Sequence, residues 1–86
     1  MASKFELILA IENRVKGSKT VDYSLWTVGV TEDEARRRTE HGNPEYWRAW
    51  PADSDSIARD VEQHFLDRGM KGGPGGPGNS KFVYIF

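Results

Sequence analysis

Hydrophobic and polar positions divide the chain into six predicted elements. Phe5 to Ile11 (FELILAI) is an apolar run closed by charged ENR. It predicts a strand over 5–11, with a helix as competitor because Leu, Ala and Glu are good helix formers. Glu12 to Ser24, with turn chemistry at Lys16-Gly17-Ser18, reads as a wide hairpin connection. Leu25 to Val30 is apolar and β-branched, predicting a short buried strand over 25–30, with Gly29 where chain packs closely. Thr31-x-x-Glu34 has capping-box spacing, and Glu32, Asp33 and Glu34 place negative charge at the positive end of a helix dipole. A helix over 32–41 follows. Gly42 suits the left-handed position past its end, and Pro44 holds Asn43 extended.

Tyr46 to Trp50 (YWRAW) predicts a third strand over 46–50, a helical turn being its competitor. Its aromatic rings favour core packing over exposed stacking on bases. Ile57, Ala58, Val61, Phe65 and Leu66 form the stripe of an amphipathic helix over 55–68, which Gly69 ends. Met70 to Ser80 is rich in Gly and Pro but leads into a strand over 81–86, not into a helix N-terminus. It therefore reads as a connector rather than a phosphate cradle. KFVYIF is apolar on both faces, so it is either interior to the sheet or covered by another molecule, as in a homodimer. The fold class is α+β: a small, mainly antiparallel sheet flanked by two helices.

Eighty-six residues make one domain with a core of marginal size. The absence of cysteine excludes a disulfide framework and a thiolate metal site. The N-terminal apolar run, interrupted by Glu6, is too short and too acidic for a signal peptide or membrane span. A soluble cytoplasmic protein with no membrane partner is the expectation. Twelve Lys and Arg against thirteen Asp and Glu give no global basic charge. Nucleic-acid binding would rest on a local patch, drawn from Arg36, Arg37, Arg38, Lys71 and Lys81. The Arg run also fits simple solubility.

On the helix over 32–41, Arg37 and His41 fall within roughly 40° of one another, nearly opposite Ala35. The helix either presents this pair or is a solvated surface helix. Glu62 lies at the margin of the apolar stripe between Ala58 and Leu66. An unpaired carboxylate there is costly, so Glu62 is either salt-bridged to an arginine, a metal ligand or an acid–base group. His64, on the opposite flank, reads as a packed histidine.

Taken together, these elements resemble the GIY-YIG nuclease domain over roughly residues 5 to 68. That family has a small antiparallel sheet whose second strand carries YIG. This strand feeds a helix bearing an arginine and, four residues on, a histidine; a later helix carries a metal-binding glutamate. Thr27-Val28-Gly29 stands at the second triplet, with Arg37 and His41 at the family's spacing, and Ala58 and Glu62 match its A-x-x-x-E pattern. The Gly/Pro loop and last strand, 69–86, look like an addition. Both motif tyrosines are replaced, by Leu9 and Thr27. Tyr23 is the nearby phenol able to reach inward from another position.

The resemblance implies Arg37 as the fork on a phosphate, His41 as a proton-transfer or positioning group, and Glu62 as the ligand of Mg2+. Arg36, Arg38 and Lys71 would supply further nucleic-acid contacts. Two functional expectations follow. One is a divergent nuclease or nuclease-derived nucleic-acid-binding domain, the other a non-catalytic protein-interaction module that keeps the fold. The Arg37, His41 and Glu62 spacing favours the first; the near-neutral charge and missing tyrosines favour the second.

Overall fold

The computed structural model describes residues 3–18, 22–72 and 80–86. It is α+β, but its first element is a helix. α1 spans Lys4–Lys16 and opens on a capping box in which the Ser3 side chain and Glu6 satisfy each other's backbone N–H groups. Leu7, Ile11 and Val15 repeat every four residues and are buried, while Phe5 and Leu9 remain exposed. The strand expected over 5–11 is therefore corrected. The decisive pattern is a helical stripe that continues past Ile11 to Val15, beyond the run that suggested a strand.

A 3-10 turn, Tyr23–Leu25, leads into β1, Thr27–Thr31. α2 spans Glu34–Glu40, β2 Arg48–Pro51, α3 Asp55–Asp67, β3 Lys71–Gly72 and β4 Phe82–Ile85. The N-cap of α2 is Asp33, whose carboxylate accepts from the Arg36 N–H at 3.0 Å, rather than Thr31. Thr31 instead makes a local turn through its own hydroxyl, which accepts from the Asp33 N–H at 3.1 Å. Both Gly42 and Asn43 adopt positive φ after the helix, at 82° and 53°. Asn43 was expected extended before Pro44; it turns left-handed, a conformation its short side chain tolerates. The Gly/Pro connector lies, at 73–79, outside the described residues.

The sheet is mixed, in the order β2-β4-β1-β3. β4 runs antiparallel to both neighbours, and β1 pairs with β3 in parallel. Among the described residues, three α-helices accompany it instead of the two expected. The C-terminal strand is thus interior, hydrogen-bonded on both edges, and has no edge on which a second copy could add a strand.

Strand alternation assigns the two faces. Val28, Val30, Val83 and Ile85 join Leu7, Ile11 and Val15 of α1 and Ala58, Val61 and Phe65 of α3 in one core. Burial of each larger side chain there stabilises by roughly 1.5–3 kcal/mol. Gly29, Tyr84 and their neighbours in register belong to the other face, which receives Arg37 and His41 of α2. Among the described residues, no helix is long and apolar enough to cross a membrane.

Candidate functional site

Tyr84 is at the centre of the second face. It pairs in register with Gly29, and a β-carbon built on Gly29 would land on the Tyr84 ring and hydroxyl. Glycine is required because a side chain, not backbone, lies over it. Trp47 stacks on the other side of the Tyr84 ring, centroids 4.4 Å apart, and leaves the tyrosine fully buried.

The Tyr84 hydroxyl receives two residues of α2. Arg37 Nε lies 3.4 Å from it and His41 Nε2 3.1 Å. Glu34, one helical turn before Arg37, accepts from the Trp47 indole N–H at 2.9 Å. Glu34, Arg37 and His41 follow i, i+3, i+7 spacing, so the face of α2 turned to the sheet is polar. Ala35, the apolar residue nearly opposite Arg37 and His41 on the helix, is exposed and does not turn inward. The orientation inferred from apolar patterning is thereby corrected: a phenol and an indole offer α2 hydrogen bonds where most surface helices find aliphatic contacts.

The electrostatics follow from these contacts. The Tyr84 hydroxyl, and next the Glu40 carboxylate at 3.2 Å, raise the pKa of Arg37 above its usual range. Burial, reinforced by the Arg37 charge, lowers that of His41, with Glu40 opposing. A neutral His41 fits the geometry. Arg37 donates to the phenol oxygen, and the phenol O–H donates to the Nε2 lone pair in the tautomer that carries its proton on Nδ1.

A pH dependence results. The folded-state pKa of His41 lies below its unfolded value, so the native state binds fewer protons. The stability this contributes is present above the unfolded value near 6.5 and is lost as pH falls through the folded value. Urea melts between pH 8 and pH 5 should show wild-type stability falling with pH. His41→Gln, which keeps an acceptor for Tyr84, should fall less over that window.

The other residues singled out from the sequence are placed elsewhere. Arg36 and Arg38 are exposed on α2, and Lys71 is exposed on β3 at the sheet edge. Tyr23 packs its ring on Phe65 of α3, centroids 5.9 Å apart, and so belongs to the first core. Glu62 sits on α3, on the opposite face of the sheet from α2. Burial raises its pKa, with the Arg59 charge opposing. It makes no ion pair or hydrogen bond with Arg37 among the described residues.

The structure thus brings Arg37 and His41 together on Tyr84 and leaves Glu62 and Tyr23 on the other side. A partly buried carboxylate whose charged form burial disfavours, with a guanidinium as charged neighbour, is a poor seat for Mg2+. No group of three or more His, Cys, Asp or Glu side chains suited to a metal ion gathers among the described residues.

Sequence reasoning missed three partners of α2: Tyr84, Trp47 and Phe86, the last with its ring 4.9 Å from that of His41. The available signal was period-2 alternation in FVYIF, which puts Phe82, Tyr84 and Phe86 on one face. No family model, curated protein or solved structure matches the chain.

Proposed function

We propose that this chain is a nucleic-acid-binding domain of GIY-YIG-nuclease type, assembled in permuted order, with Arg37 as its phosphate contact. The observation that carries this reading is the meeting of the Arg37 guanidinium, the His41 imidazole and the Tyr84 phenol within 3.4 Å. The motif tyrosines that the resemblance places at Leu9 and Thr27 are replaced there. β4 lies antiparallel beside β1, where the first motif strand was expected, and brings a tyrosine from the other end of the chain.

Arg37 suits a phosphodiester. Tyr84 and Glu40 hold its charge and its plane, while its side chain keeps 23% of its accessible surface. Its partner Glu40 is 47% exposed, and exposed ion pairs contribute only about 0–1 kcal/mol, so a phosphate can displace that carboxylate. Arg36 and Arg38 extend the positive charge along the same helix. His41 is held neutral within reach of the same phenol, which suits it to positioning. A fully buried Tyr84 orders the guanidinium rather than attacking substrate itself.

The test is equilibrium binding of labelled 20-mers of single-stranded DNA, duplex DNA and RNA at low salt. Saturable binding that Arg37→Ala weakens by tenfold or more is the expected result. Wild-type protein that binds none of the three would end the proposal.

One observation favours the interaction-module reading instead. Leu25 and Tyr46, each 63% exposed, border an apolar cleft of about 180 Å³ with Trp26 and Phe86. Exposed apolar clefts commonly receive a partner's apolar side chain. Tyr46→Ser would leave nucleic-acid binding intact under the first reading.

A further inference from the structure

The first face of the sheet carries a second feature that the Arg37 site does not use. Where the end of α1 meets β2, a cleft of about 360 Å³ is lined by Ala10, Asn13, Arg14, Gly17, Arg48 and Trp50. Arg48 and Trp50 pair with Ile85 and Val83, which places both on the α1 and α3 side of the sheet, away from Tyr84.

Among the described residues no carboxylate-bearing residue lines this cleft, and two arginines do. Neither Arg14 nor Arg48 belongs to an ion pair among the described residues. Arg14 Nε is buried and has no hydrogen-bond partner among the described residues. Its position in the last turn of α1 is favourable to a cation, because the helix dipole is negative there. That accounts for a positive charge at this end. It does not account for a second arginine in the same cleft, nor for a buried N–H with nothing to receive it. A buried donor without a partner costs about 1–3 kcal/mol, and like charges sharing a concave site repel. An oxyanion bound between the two arginines offsets that repulsion.

The wall beside them is the half-buried indole of Trp50, a face on which a planar ring can stack. The volume lies within the usual range for small-ligand sites, roughly 300–1,000 Å³. We infer that this cleft binds a mononucleotide, its phosphate held by Arg14 and Arg48 and its base stacked on Trp50. Asn13 at the rim offers an amide donor and acceptor for a base edge. The inference stands apart from the Arg37 reading, because the two sites occupy opposite faces.

Calorimetric titration at low salt with adenosine monophosphate, adenosine and inorganic phosphate tests it on the intact chain. Adenosine monophosphate should bind saturably with 1:1 stoichiometry and at least tenfold more tightly than either fragment. Arg48→Gln should weaken it at least tenfold; Arg48 is exposed on an edge strand, so the fold should survive, as a thermal melt will verify. Trp50→Leu should reduce the preference for the nucleotide over inorganic phosphate. Arg37→Ala should leave the affinity unchanged. Absence of saturable binding, equal binding of phosphate and nucleotide, indifference to Arg48→Gln, or loss in Arg37→Ala would each overturn the assignment.

Discussion

Removal of residues 82–86 is expected to leave a chain that no longer unfolds cooperatively. β4 is the strand that joins β1 to β2, and without it β2 has no partner in the sheet. Val83, Tyr84 and Ile85 are each fully buried, two in the main core and one beneath α2. Burying side chains of this size stabilises by about 1.5–3 kcal/mol each. Their joint loss, with two ladders of hydrogen bonds, matches the whole stability of a typical domain, about 5–15 kcal/mol. Circular dichroism during heating reads the outcome. A truncated chain with an intact, sigmoidal melt would show that the sheet does not depend on β4.

Gly29→Ala is expected to lower stability by about 1–3 kcal/mol, the usual range for overpacking a filled core. In a domain of this size that corresponds to a fall in Tm of roughly 4–24 °C. The ring the new methyl meets cannot swing aside, since Trp47 stacks against Tyr84 and Arg37 and His41 hold its hydroxyl. A double-mutant cycle separates this clash from any change in strand propensity. In a Tyr84→Ala background, Gly29→Ala should cost far less, because the space above it is vacated. An equal cost in both backgrounds would contradict the contact.

Much of the fold was legible wherever one local signal decided the structure. The stripe of α3, the β-branched strand entering α2, and Gly42 and Gly69 at helix ends, both with positive φ, needed only periodicity and backbone chemistry. The start of the chain was not legible in the same way. FELILAI satisfies a strand by composition and a helix by spacing; Ser3 and Glu6 at its front and Val15 behind it favour the helix. That substitution hid the site, because the strand beside β1 comes instead from the far end of the chain.

The pairing of Arg37 with His41 was readable from helical spacing. Their inward orientation was not, since it depends on Tyr84 and Trp47, 47 and 10 residues beyond Arg37. Polar residues turned toward a sheet look like a solvated face until the groups that receive them are known. Glu62 shows the converse: its margin position was read correctly, yet neither Arg37 nor His41 shares its side of the sheet.

The central claim is that the guanidinium held by Tyr84 contacts a phosphate, and the salt dependence of binding tests it most directly. Affinity for a short single-stranded oligonucleotide should fall linearly on a log–log plot as salt rises, with a slope of about −0.7 per phosphate contacted. Arg37→Ala should weaken binding and make that slope shallower by roughly one contact, while its melt shows the domain still folded. An Arg37→Ala protein with the wild-type slope and affinity would contradict the claim.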